Sequence, residues 1–261
     1  MAATAPLSCY IRTKNEERMI GDVIRAAQQV AAEVVIVDSG STDKTIDIAE
    51  ALGARVVRAQ WLGGGKQKRI GEDACVHDWL LDLDADEIVT PELADEIRGV
   101  FSNGAPPAPI YELLMATSPP VGKPWRAFNL VDRRKLYDRR VVRQPDHPNW
   151  DQFKTPEGAR VERLHAPLLH YSFRDLAQLE DKFNRNSSGR ARDTALKPFW
   201  LCVLRMLLAK PFYFLNQYVR RGLWRAGWYG FAVASIAAHG RWLKDAKMVE
   251  IHLRNRETAK G

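Results

Sequence analysis

Four acidic side chains crowd the end of a single apolar run. Residues 79–88 read Trp-Leu-Leu-Asp-Leu-Asp-Ala-Asp-Glu-Ile, so a stretch suited to a buried strand finishes in Asp82, Asp84, Asp86 and Glu87. Charge in such a place is costly unless something compensates it, and a divalent cation would do so. If the chain stays extended, Asp84 and Asp86 project to one side because strand side chains alternate. Two hard oxygen donors then converge, a set that suits magnesium or manganese already held by phosphate oxygens. The competing reading is a loop of solvated carboxylates ahead of the helix that Thr90-Pro91-Glu92 opens.

Four further stretches carry chemistry-bearing residues. Thr13-Lys14-Asn15-Glu16 matches a capping box before a helical pattern that runs to residue 30; the N–H groups of such a helix start attract anions, although ordinary capping needs no ligand. Asp38-Ser39-Gly40-Ser41-Thr42-Asp43 is rich in turn formers. Residues 61–69 join a turn of three glycines to Lys66, Lys68 and Arg69 and a helical continuation, and this segment either closes over a diphosphate or forms an exposed basic loop. It lacks the GxxxxGK[ST] spacing of a P-loop, and no GxGxxG follows the first strand candidate. Between residues 133 and 140 the run Arg-Arg-Lys-Leu-Tyr-Asp-Arg-Arg either binds phosphate groups or forms a solvated face.

The elements that must position these residues follow from the apolar pattern. Residues 7–11, 34–37 and 55–57 read as strands, and residues 34–37 are wholly apolar and β-branched, as in a parallel strand covered on both faces. A helix over 44–52, stopped by Gly53, lies between the second and third. Strand-helix alternation predicts an α/β sheet with right-handed crossovers, whose ligands gather at the carboxyl ends of the strands. Thr13, Asp38 and the Asp84/Asp86 pair all fall there. Residues 101–109 read as a Gly/Pro loop and 110–115 as another strand.

Three motifs, Ile11-Arg-Thr-Lys-Asn-Glu-Glu17, Val35-Ile-Val-Asp-Ser-Gly-Ser-Thr-Asp43 and Leu83-Asp-Ala-Asp-Glu87, in this order and spacing, resemble the family-2 glycosyltransferases with a GT-A fold. The likeness is greatest to the branch that includes lipopolysaccharide core glucosyltransferases. It covers residues 7 to about 100 strongly and continues more weakly to about 185. The resemblance implies transfer of a sugar, with inversion, from a nucleotide-diphosphate donor such as a UDP-sugar to a saccharide or lipid-linked acceptor of the cell envelope. It implies that Thr13, Glu16, Asp38 and Asp84 border the nucleotide, with Lys66 on the diphosphate, and that Asp84 and Asp86 form a DxD element for Mg2+ or Mn2+. His170, after the apolar pair Leu168-Leu169, is the candidate third ligand, against a core histidine. Relatives carry the base in an ED or HE element, which the segment Pro145-Asp-His-Pro-Asn-Trp-Asp-Gln-Phe153 lacks. Asp151 is the nearest positional match, with Asp146 and then Glu157 behind it. A non-catalytic sugar-nucleotide-binding protein and a nucleotidyltransferase are the rival readings.

Composition sets the remaining limits. The chain has 261 residues and an apolar fraction of 46%, enough for a real core. Residues 1–100 carry 11 Lys+Arg against 18 Asp+Glu, whereas residues 101–261 carry 28 against 14, so the excess positive charge lies in the second part. Three scattered cysteines in no CxxC spacing and the absence of a basic, apolar leader suit a protein of the cytosol. Beyond residue 190 the chain turns helical, with aromatic and basic residues interleaved. The expected organisation is a catalytic domain over 1–190 and a helical segment over 191–261. That composition suits helices lying on the cytoplasmic face of the inner membrane, or packing on the catalytic domain or across a homodimer. The uncharged run over 226–240 is shorter than the roughly 20 residues a bilayer span needs, and Arg205 and Pro211 interrupt the earlier one. No recognition motif for nucleic acid is present.

Overall fold

The computed structural model describes residues 5–102, 104–126, 128–148 and 150–258. The chain divides into two compact units, residues 1–118 with 130–171 and residues 119–129 with 172–261.

The first unit opens with β1 (Ala5–Thr13), α1 (Ile20–Ala27), β2 (Ala31–Asp38), α2 (Thr45–Ala51), β3 (Arg55–Arg58), α3 (Gly64–Ala74) and β4 (Trp79–Asp84). Their strands pair in parallel, as the alternation of strand and helix requires. The chain continues through β5 (Glu87–Val89), α4 (Pro91–Phe101), β6 (Ile110–Thr117), β7 (Leu130–Asp138) and β8 (Val161–His170). One eight-stranded sheet results, in the order β3-β2-β1-β4-β7-β6-β8-β5. Burial explains the composition of β2: residues 34–37 lie inside the sheet with both faces covered. Ile20, Val23 and Ile24 of α1 and Leu93 and Ile97 of α4 close one core with Cys9, Ile11, Leu81 and Leu83. On the opposite face Tyr10, Leu80 and Tyr137 form a second.

Two local expectations change. Thr13 ends β1 and caps no helix; its hydroxyl is buried without a partner, and α1 starts seven residues later with no side-chain cap. The chain needs those residues to turn, with Asn15 in the left-handed region at φ 54°. The helical continuation expected after the glycines is α3, which already begins at Gly64, so residues 64–69 form its first turns and not an exposed loop.

The second unit contains α5 (Leu176–Asp193), α6 (Phe199–Leu215) and α7 (Gly227–Thr258), with a π-helical turn at Asn216–Arg220 and a 3-10 turn at Leu223–Ala226. Phe173, Leu179, Leu223, Val233 and Ala234 form its core with Trp125 from residues 119–129. The boundary expected after residue 190 falls within α5, which packs along α7; the compact units part at residues 171/172. Helix α6 continues through Pro211. Among the described residues, Phe199–Arg220 is thus 22 residues long, with mean hydropathy 1.2, enough by length and composition to cross a membrane. Arg205, which seemed to interrupt it, is paired with Asp245 of α7 at 3.0 Å.

Buried beneath the end of β4, Lys68 Nζ donates to Asp82 at 2.6 Å, and both side chains are shut from solvent. Taking away one partner of such a pair leaves a bare charge in the core. Lys68→Met is expected to destabilise the protein by about 3–5 kcal/mol in urea unfolding. Lys68→Met with Asp82→Leu is expected to recover most of that loss; a double variant no more stable than the single one would refute the pairing as the cause.

Candidate functional site

Parallel pairing brings the acidic cluster to its partners. In register, Arg12 of β1 stands opposite Asp84 of β4, and Thr13 opposite Asp38 of β2. Arg12 grips Asp84 with two hydrogen bonds, Nε to Oδ1 at 2.5 Å and Nη2 to Oδ2 at 3.2 Å. The same Nη2 donates to Asp151 Oδ2 at 3.1 Å, so one guanidinium joins the two carboxylates.

Each remaining acid also meets a base. Glu87 Oε2 accepts from Lys135 Nζ of β7 at 2.7 Å and from the Asp84 N–H at 2.9 Å. Asp86 lies 3.4 Å from His170 Nε2, because β5 pairs with β8 and sets Glu87 opposite His170. The extended geometry expected of residues 84–86 does not occur: Ala85 and Asp86 form a turn, closed by the Glu87 carboxylate on the Asp84 N–H. Asp84 and Asp86 consequently face different partners. Burial tends to raise the Asp84 carboxyl, but Lys135, Arg12 and Lys68 overcome it and hold it well below the usual carboxylate range. Burial pushes the Glu87 carboxyl up against the pull of Lys135.

The loops at the ends of β1 and β2 are stitched to each other. Asp38 accepts from the N–H groups of Gly40 and Ser41 and from the Ser41 hydroxyl, so its own loop engages both oxygens. Asn15 N–H donates to Ser41 Oγ, Glu16 N–H to Thr45 Oγ1 and Glu17 N–H to Asp43. The result is a fixed rim beside the buried Thr13 hydroxyl.

A glycine triplet sets the far wall. A Cβ on Gly63 would lie 2.3 Å from the Pro148 carbonyl oxygen, and one on Gly65 2.0 Å from that of Trp150. Gly63 also has φ 107°, which L side chains rarely adopt. Gly64 N–H donates to Pro148 O at 2.8 Å. The glycines therefore let residues 145–148 and 150–151 lie flat on the start of α3 and deliver Asp151 to Arg12.

The other expected residues are placed as follows. Lys66, on α3, is 3.8 Å from Asp146; Glu157 is exposed. Lys68 is buried on Asp82 and Arg69 donates to the Gln144 carbonyl, so neither is available to a diphosphate. The cationic run on and after β7 is largely neutralised: Arg134 pairs with Glu112, Arg139 with Asp78 and Arg140 with Asp138. It offers no unpaired phosphate patch, since the sheet and turn bring carboxylates beside it. Arg12 and Lys135 escaped sequence reading. Arg12 sits inside a recognised motif and Lys135 inside the cationic run 133–140, but only register and strand order show which acid each one holds.

Among the described residues no three of His, Cys, Asp and Glu are grouped as a closed metal centre. Asp86 and His170 do offer one hard oxygen and one imidazole nitrogen, a fit for a cation whose other ligands come from phosphate. Lys68, Arg12 and Lys135 answer Asp82, Asp84 and Glu87, which leaves Asp86 beside the His170 imidazole without a lysine or arginine.

Residues 8–106 match the family model described as glycosyl transferase family 2. An uncharacterized glycosyltransferase of Rickettsia felis is 33% identical, with 96% of this chain and 92% of the relative covered. The lipopolysaccharide core biosynthesis glycosyltransferase LpsC of Rhizobium meliloti is 30% identical, with 97% and 95% covered. The structure of glucosyl-3-phosphoglycerate synthase from Mycobacterium tuberculosis with Mn2+, UDP and phosphoglyceric acid is 29% identical over 44% of this chain and 43% of that one, with a TM-score of 0.34.

Arg12→Gln would release both carboxylates. Because Asp84 lies low in the fold, its contribution to stability is complete above the unfolded aspartate value of about 3.9 and is lost as pH falls from there. In the variant that carboxyl returns toward its ordinary range, so the loss of stability as pH falls below about 4 is expected to be shallower. Urea unfolding across that range measures it; an unchanged slope would assign the effect to Lys135 and Lys68 alone.

Proposed function

Because this chain belongs to the glycosyltransferases of family 2, we propose that it transfers a sugar, with inversion, from a nucleoside diphosphate donor to a saccharide or lipid-linked acceptor of the lipopolysaccharide core. The observation that supports this reading most is the convergence of Thr13, Asp38, Asp84, Asp86, His170 and Asp151 around Arg12 and the turn after β4.

In this reading the nucleoside lies along the rim formed by Thr13, Glu16 and Asp38, where the buried Thr13 hydroxyl lacks a protein partner, and Asp84 reaches the ribose. A UDP-sugar is the donor we favour. Lys66 stands toward the diphosphate. Asp86 and His170 would hold Mg2+ or Mn2+, with Asp84 behind them; when bound, that cation supplies Lewis-acid stabilisation to the leaving diphosphate. Asp151 takes the proton from the acceptor hydroxyl as its oxygen bonds to the anomeric carbon, and the bond to the diphosphate breaks with its electron pair. Arg12 positions Asp151 and holds Asp84 in place.

A membrane surface is the fitting source of a lipid-linked acceptor. Helix α6 exposes Trp200, Leu207, Leu208 and Phe212, each more than 60% accessible, beside Lys210 and Arg220. Such a face suits the headgroup region of an anionic leaflet, on the cytoplasmic side where nucleotide sugars are made.

Two measurements test these assignments. In a donor-turnover assay with manganese, Asp86→Ala and Asp151→Asn are each expected to lower turnover by about 10²-fold or more, with Asp151→Asn still binding nucleotide by thermal shift. Turnover preserved in Asp151→Asn would move the base to Asp146. In co-sedimentation with anionic vesicles, Leu207→Asp with Phe212→Asp is expected to weaken binding by at least about tenfold; equal binding would place the membrane contact elsewhere or nowhere.

A further inference from the structure

The helical unit contains a cavity of about 220 Å³ lined by α5, the end of α6 with its π-helical turn, and α7. Its walls carry Arg190, Arg241 and Lys244 together with Asn186, Asn216 and Gln217, and no carboxylate. Arg190 and Lys244 make no side-chain hydrogen bond or ion pair within the described residues. Arg241 packs its guanidinium 5.0 Å over the Tyr213 ring, and its Nε is shut from solvent without an acceptor. Asp245, the next residue on α7, gives one oxygen to Arg205; its other oxygen is buried without a partner and draws the Lys244 ammonium up, an attraction that burial and the neighbouring cations outweigh.

Three like charges around one hollow repel each other. Burial, then Lys197, Arg241 and Arg190, hold the Lys244 ammonium below its ordinary value. An anion would relieve that repulsion and satisfy the guanidinium. Neighbouring side chains are set to donate as well: the Asn216 carbonyl oxygen already accepts from Arg220 Nε at 2.6 Å, which leaves its NH2 group for a ligand. Gly240 makes the hollow possible, since a Cβ there would lie 2.6 Å from Phe183 and force α5 and α7 apart.

We infer that this cavity is a phosphate-binding site, taking the phosphate of a lipid headgroup or of a phosphorylated saccharide between Arg190, Arg241 and Lys244. A tetrahedral dianion can accept several charge-assisted hydrogen bonds at once, which a single carboxylate or chloride cannot match. The inference does not depend on the sugar-transfer reading, because every residue in it belongs to the helical unit.

Titration of the full chain with inorganic phosphate, with UDP in excess to occupy the nucleotide site, tests it. Wild type is expected to bind phosphate saturably and in preference to chloride. Arg190→Gln and Lys244→Gln, which break no internal contact, are each expected to lose about tenfold in affinity, the scale of one hydrogen bond to an ionised group, with unchanged melting temperature. Vesicles of phosphatidic acid separate the sources. Vesicle binding that weakens in step with phosphate binding assigns the site to a lipid headgroup. Vesicle binding that persists while phosphate binding is lost assigns it to a saccharide phosphate. Phosphate binding that is absent in wild type, or equal in wild type and variants, overturns the inference.

Discussion

Every acid at the end of β4 is answered by a base from another part of the chain, and the first unit depends on that matching. Asp82 meets Lys68 of α3, Asp84 meets Arg12 of β1, Glu87 meets Lys135 of β7, and Asp86 faces His170 of β8. In a low-dielectric interior a lone charge is far costlier than a paired one. The pairs therefore tie together four elements distant in sequence, and they fix the turn at residues 85–86 that a purely apolar core would leave free. Three of the four carboxylates are answered by lysine or arginine, and the fourth, Asp86, lies with His170 at the outer and more accessible edge.

Positioning follows from this core outward. Arg12, held from below by Asp84, reaches Asp151 above it, and Asp151 can be there only because glycines at 63–65 admit the backbone of Pro145, His147, Pro148 and Trp150. On the other side, the loops after β1 and β2 bond to each other through Asn15, Ser41, Thr42 and Thr45, so the rim beside Thr13 is rigid without ligand. Preorganised groups of this kind need little rearrangement when charge develops on a leaving group.

The second unit is organised by different forces. Aromatic packing of Trp125, Phe128, Phe214, Tyr218 and Tyr229 builds its core, and a single ion pair, Arg205 with Asp245, satisfies the charge that α6 carries toward α7. Among the described residues, Arg190 and Lys244 make no ion pair. Net positive charge left on a small helical body is a standing attraction for anions, and the exposed apolar residues of α6 lie on the same unit.

The sequence by itself determined the local and the periodic. The β-branched run 34–37, the Gly53 stop and the Thr90 cap gave the early strands and helices, because propensity and turn chemistry act over a few residues. Strand ends marked where Thr13, Asp38 and Asp84 would meet, since parallel sheets collect ligands there. Other features awaited the tertiary structure. The apparent capping box at Thr13 became a strand end, residues 64–69 became helix under an overlying segment, and the cationic run at 133–140 found carboxylates to pair with. Which base answers which acid is a matter of register and strand order, set by contacts between residues as far apart as Arg12 and Asp151. No local pattern encodes such contacts, because their energy exists only once the chain has closed around them.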